Sequence, residues 1–166
     1  WVNGTEPTPV GPGVIRYCTP TGAGSKDGTS WENALAGLYR ASQVLLPFDA
    51  LYLWEGEYTL LAPIGIENCR VYGGFNGDGT WATRDGFAHQ TIINGSSFPF
   101  LNLDHESTMI VNGLSFANFN SAINSGGSLV AYDNCAFTNC DSGSTELLLF
   151  QLLQFHSEAK NNLFSN

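Results

Sequence analysis

The sequence predicts an all-β solenoid, a stack of short coils covered at its N-terminal end by one α-helix, and three observations predict it. A phrase recurs through the last third of the chain: Gly113-Leu-Ser-Phe-Ala-Asn118, Asn134-Cys-Ala-Phe-Thr-Asn139 and Asn161-Asn-Leu-Phe-Ser-Asn166. Its phenylalanines, Phe116, Phe137 and Phe164, stand 21 and 27 residues apart, and each is followed two residues later by an asparagine. A period of about twenty residues suits coils that bury an apolar face only by stacking on their neighbours. Phe116, Phe137 and Phe164 would then form an internal stack, and Asn118, Asn139 and Asn166 an amide ladder. The second observation is compositional: 19 glycines and only 13% charged residues favour turn-rich β-structure over helical bundles. The third is a series of short apolar runs whose anchors, Leu53, Val71, Ile92, Ile110 and Val130, recur at roughly the same interval. Chance recurrence of common residues and a Greek-key sandwich are the alternatives.

The elements follow in chain order. Residues 1–13 are rich in Pro, Gly and Thr and read as an extended leader. Val14–Thr19 alternates as a short strand, and Pro20–Gly28 is a Gly-rich loop. Thr29-Ser-Trp-Glu32 has the form of a capping box, Thr29 bonding an amide of the first turn while Glu32 reaches back. Trp31, Leu35 and Leu38 then share one face of a helix over about Ser30–Leu45, which Pro47 ends, so the helical cap spans about 29–46. Strands are expected at Leu51–Trp54, Ile64–Ile66, Arg70–Tyr72, Thr91–Ile93, Phe100–Leu103, Met109–Val111, Leu129–Tyr132 and Leu147–Phe155. The helix would cover the open strand edges at the N-terminal end. At the other end the chain stops at Asn166 with no amphipathic segment as a lid, so further residues or a partner are expected there.

At 166 residues the chain fits one domain, 14–166, behind its leader. Its formal charge of −9 offers no footprint for a phosphate backbone, which argues against nucleic acid. No apolar run is long enough to span a bilayer. Four cysteines and few lysines favour secretion and an extracellular, cell-surface location.

Three stretches resemble the N-terminal region of secreted right-handed parallel β-helix proteins of Bacteroidetes and related bacteria, a group similar to pectate lyases and to chlamydial polymorphic outer-membrane proteins. They are Tyr17-Cys-Thr-Pro-Thr-Gly-Ala-Gly-Ser-Lys-Asp-Gly-Thr-Ser-Trp-Glu-Asn-Ala-Leu35, Leu51-Tyr-Leu-Trp-Glu-Gly-Glu-Tyr-Thr59 and Val71-Tyr-Gly-Gly-Phe-Asn-Gly77, the last followed by Arg84-Asp85. The resemblance implies a single right-handed parallel β-helix of about six coils. It says little about function, because the group includes adhesins, autotransporter passengers, surface anchors and sugar-cleaving enzymes. Its members usually carry aliphatic residues where Cys18 and Cys69 stand, and two changes to Cys suggest that these pair. Cys135 and Cys140 would bridge only if the coil turns between them. No histidine stands near either pair at zinc-ligand spacing.

Candidate chemistry is sparse. The coil region holds Asp104, Glu106, Asp133, Asp141, Glu146 and Glu158 with His105, His156 and Lys160, and no two acids recur one coil apart. Asp104-His105-Glu106 is the best local cluster and reads as a solvated turn. Arg84–Asp85 is expected to pin a loop, and Gly73–Gly77 to be a tight corner rather than a phosphate loop. Asn94-Gly-Ser96 and Asn3-Gly-Thr5 match the glycosylation triplet. No catalytic residue, metal site or cofactor is expected beyond weak Ca²⁺ binding by acidic loops. The reading is therefore a non-catalytic structural or adhesive surface protein. Its expected partners are a cell surface, a glycan or further copies of itself, stacked head to tail into a filament. The alternative is an N-terminal fragment of a polysaccharide lyase, a glycoside hydrolase or a large adhesin passenger.

Overall fold

The computed structural model describes residues 5–6, 11–62, 64, 67–95, 101–102, 107–119, 123–124, 129–140, 159–160 and 163–165. Short strands alternate between two sheets. The larger contains β1 (Ile15–Thr19), β2 (Leu35–Ala36), β3 (Ala50–Trp54), β5 (Arg70–Phe75), β8 (Thr108–Asn112), β11 (Leu129–Asp133) and β13 (Ala159–Lys160). Its seven strands lie in the order β13-β11-β8-β5-β3-β1-β2. The smaller contains β4 (Gly56–Thr59), β6 (Thr91–Asn94), β9 (Leu114–Ala117), β12 (Ala136–Thr138) and β14 (Leu163–Ser165), in the order β14-β12-β9-β6-β4. The strand pairs β1–β3, β3–β5, β5–β8, β8–β11, β4–β6, β6–β9, β9–β12 and β12–β14 are all parallel. A third sheet is a pair of two-residue strands, β7 (Leu101–Asn102) and β10 (Ile123–Asn124).

This corrects the expected closed right-handed parallel β-helix of about six coils. Closure needs a third continuous wall, and among the described residues that wall is only the β7–β10 pair; what stands is two open, all-parallel sheets. The expected capping helix is also corrected. Thr29 gives its hydroxyl to Asp27 Oδ1 at 2.7 Å, and the Ser30 side chain makes no cap bond, so no capping box forms. Trp31–Asn33 is a single 3₁₀ turn, and Leu35–Ala36 is drawn out as β2 to pair with Cys18–Thr19. Gly37, at φ 71°, then breaks direction as the first residue of α1 (Gly37–Ser42), a six-residue helix. Its buried Leu38 and Ala41 pack toward β1, β2 and β4, so the helix does lie at the N-terminal end of both sheets.

The core lies between the two sheets. The large sheet contributes an in-register row, Leu51–Val71–Val111–Tyr132. The small sheet answers with Tyr58–Ile93–Phe116–Phe137, and the backbone of Phe164 continues that register. All eight side chains of these two rows are buried. Burying a ring such as Phe116 stabilises by about 2–3 kcal/mol. Among the expected anchors, Ile110 and Ile92 are half-buried and face away from this core, whereas Val111 and Ile93 fill it; a one-residue slip exchanges the faces of a strand.

Sharp corners join the sheets. Gly56, the first residue of β4, and Gly113 and Asn134, just ahead of β9 and β12, have φ of 127°, 72° and 53°. Asn118 and Asn139, just past such strands, have φ of 59° and 49°. Gly and Asn are the residues that adopt this region at least cost.

Candidate functional site

The outward face of the large sheet carries a second buried cluster, Ala50, Tyr52, Tyr72 and Phe75, with Tyr17, Trp31, Trp54 and Trp81 packed against it. Parallel pairing sets Tyr17, Tyr52, Tyr72, Asn112, Asp133 and the backbone of Lys160 in one row across six adjacent strands. Tyr17 and Tyr52 meet edge to face at 5.9 Å between centroids, and Tyr52 and Tyr72 at 5.8 Å. Phe75 stacks on Tyr52 at 4.5 Å, and Trp81 lies 5.2 Å from Tyr72. Trp31 joins the layer at 4.8 Å from both Tyr17 and Trp54, and its indole N–H donates to Gly79 O at 2.9 Å, tying loop 76–90 to this face.

Arg84 fastens the same loop. It is 2% exposed, donates from Nε to Gly73 O and from Nη2 to Asn112 O and Oδ1, and places its guanidinium 4.7 Å from the Trp81 centroid. Asn112 Nδ2 passes the connection to Asp133 Oδ2 at 3.2 Å. Burial lowers the Arg84 pKa to about 10, partly opposed by Tyr72 and Asp133, so the cation persists at neutral pH. The buried guanidinium is paired by hydrogen bonds and covered by rings, the arrangement in which a buried charge is tolerated. Loop 76–90 is braced further by Asp78, held below the carboxylate range by the Thr83 hydroxyl and the Thr80 amide and hydroxyl.

The row meets the leader at Glu6. Tyr52 donates its hydroxyl to Glu6 Oε1 at 2.9 Å. Burial, then Glu6 itself, raises the Tyr52 pKa; burial followed by the charges of Glu6 and Glu32 raises that of Tyr17. Both phenols are hydrogen-bond donors at neutral pH. Farther along the face a cleft of about 240 Å³ is lined by Phe48, Asn68, Cys69, Arg70, Thr108 and Ile110. Phe48 holds φ 77°, costly for a bulky residue, and is 47% exposed. Asp49 fixes that backbone, accepting from Val14 N at 2.8 Å and Leu46 N at 3.0 Å.

The residues singled out in the sequence fall elsewhere. Phe116 and Phe137 stack at 5.1 Å with their planes 14° apart; the side chain of Phe164 lies outside the described residues. Asn118 bonds backward to Asn94 Oδ1 at 3.0 Å, and Asn94 continues to Glu57. Asn139 is exposed at the equivalent corner, and Asn166 lies outside the described residues. Among the expected helix-cap residues, Leu35 and Leu38 are in the core, Trp31 is in the outer aromatic layer, and exposed Glu32 takes a hydrogen bond from Ser30.

The four cysteines are free thiols, which corrects both expected disulfides. Cys18 lies on β1 and Cys69 at the start of β5, with β3 between them and a register offset of four residues. Two strand spacings and that offset separate them by roughly 16 Å, where a bridge needs less than about 7 Å. Strand β12 holds Cys135 and Cys140 apart, and their thiols donate instead to Val111 O and Phe116 O.

Asp104, His105, Glu106, Asp141, Glu146, His156 and Glu158 lie outside the described residues. Among the described residues no group of three or more His, Cys, Asp or Glu converges as a metal site, and no helix is long and apolar enough to cross a membrane. Sequence reasoning missed the tyrosine row and its link to Glu6. The usable signal was a tyrosine at an outward position of three successive large-sheet strands, visible only once the register is known. No protein-family model, curated protein or solved structure matches the chain.

Proposed function

We propose that this chain is a non-catalytic structural or adhesive protein of the extracellular surface that associates with further copies of itself along the direction in which its strands stack. The observation that carries the reading is the use made of polar groups. Arg84, Asn112 and Asp133 fasten the loop and strands of one face, and Asp27, Asp49, Asp78 and Asp85 each bond nearby backbone amides. Burial pushes the thiols of Cys18, Cys69 and Cys135 up to about 12, which leaves them protonated and poorly nucleophilic at neutral pH. These groups support a scaffold more readily than a reaction centre. Parallel sheets support the self-association part, because strands repeating in register can be extended by a strand of another copy. The resemblance of residues 17–35 and 71–77 to secreted surface proteins supports the extracellular placement.

Electron microscopy of native material with intact-mass measurement tests the reading. Regular filaments built from subunits of about the 17.9 kDa of this chain are the expected result. Monodisperse monomers at high concentration, or turnover of a polysaccharide by the native protein, would sink it.

A further inference from the structure

We propose that the tyrosine row is a docking site for the N-terminal segment of a second copy of this chain, the Glu6–Tyr52 contact being made between copies as well as within one. The proposal rests on the self-association reading and names the surfaces that carry it. Tyr52 and Glu6 are 46 residues apart and joined by a hydrogen bond of 2.9 Å. Glu6 is exposed, and among the described residues its side chain is held by this bond to Tyr52. A segment that docks on its own body can make the same contacts on an identical body, so exchange needs no new interface.

Three further features favour exchange. The body side of the connection is anchored: Val14 N donates to Asp49 Oδ1, and Gly13 packs so closely that a Cβ there would collide with Phe48 O. Only Gly11, Pro12 and the four residues before them separate that anchor from Glu6, and Gly11 has φ 70° with open space around it. Short connections of this kind are the ones that swap. The chemistry of segment and face is also matched. Glu6-Pro7-Thr8-Pro9 is an acidic stretch with prolines at alternate positions, and such segments dock extended on aromatic-lined surfaces. Tyr17, half-buried, provides ring surface; Tyr52 and Tyr72 are 2% and 5% exposed, and the Tyr52 hydroxyl is the donor that reaches the carboxylate. A short tether holds the internal contact at an effective concentration on the order of millimolar, so exchange should grow as the chain itself approaches that range.

The test keeps the full chain. A photo-cross-linking amino acid replaces Thr5, beside Glu6, in both light and ¹⁵N-labelled protein. The two are mixed, concentrated from about 10 µM to about 1 mM to bracket the tether's effective concentration, irradiated and digested. The expected result is heavy–light cross-links between the leader and peptides containing Tyr52 or Tyr72, growing with concentration. In Glu6→Ala and Tyr52→Phe chains the bond is lost within and between copies alike, so same-isotope and mixed leader links to these peptides should fall together, up to about fivefold, the effect of losing roughly 1 kcal/mol of hydrogen bonding. Glu6→Ala is an exposed change, which keeps the test valid should Tyr52→Phe fold poorly. Links confined to one isotope at every concentration overturn the proposal, as do mixed links indifferent to Glu6→Ala. Filaments without mixed links overturn it while leaving self-association standing. Mixed links without filaments uphold it and remove the filament.

Discussion

Asn118 shows how much a single side chain can be asked to do. Its backbone sits at φ 59°, and its amide bonds Asn94 across the small sheet. The repeat made Asn118 and Asn139 legible as special, but their backbone role was hidden, because a ladder and a left-handed corner select the same residue. Two substitutions separate these roles. Asn118→Gly keeps the corner and loses the amide, and should cost about 1 kcal/mol; Asn118→Ala loses both, and should cost about 2 kcal/mol or more. Urea denaturation reads the difference, and equal losses would assign the residue to the ladder alone. The buried thiols give a second prediction. Burial pushes Cys18 and Cys135 up to about 12 from an ordinary 9.0. Unfolded chains lose these protons near pH 9 and folded chains keep them, so their stability contribution is whole below pH 9 and is lost as pH rises toward 12. Together they should remove about 3 kcal/mol per pH unit above 9. A urea midpoint that holds steady to about pH 11 would contradict the burial.

Among the elements, the large-sheet strands were readable because β-branched, leucine and aromatic runs mark them: β1, β3, β5, β8 and β11 begin within one residue of their expected positions. In the other wall only β6 was. Strands β4, β9 and β12 hold three or four residues each, too few for alternation to stand out, and the recurring phrase was itself the strand. The helix failed for the opposite reason, since a well-formed local signal at Thr29–Glu32 lost to Asp27 and to the pairing of Leu35 beside Cys18. Strand β5 carries the sharpest element-level prediction. Gly74 has φ 86°, and a Cβ there would lie 2.5 Å from Gly86 N; Gly77 has φ 62° and open space around it. Alanine at Gly77 should cost about 1 kcal/mol, the penalty of its backbone conformation alone. Alanine at Gly74 should cost at least about 3 kcal/mol, because loop 76–90 must also move. Thermal melts of the two variants decide the matter, and similar melting points would mean that the loop does not press on β5.

For the whole molecule, charge governs association. Copies carrying −9 repel one another, and added salt shortens the reach of that repulsion to about 8 Å at physiological strength. Sedimentation should therefore show larger species at about 150 mM salt than at about 10 mM, a Debye length of about 30 Å. Association that weakens with salt would point instead to attraction between opposite charges. Fold class was legible only as all-β and parallel; closure depends on which strands share a wall, and that is decided by corners whose conformations the residue types permit without requiring. The parallel pairing has a last consequence, in time rather than in space. Every strand of the core waits for a partner from a distant part of the chain: β3 meets β5 across a connection of fifteen residues, and β5 meets β8 across thirty-two. Loop closure must precede the reward of contact, which makes such a topology slow to fold. Synthesis delivers α1, β1 and β3 first, so they are available as the template on which each later strand is laid, one register at a time.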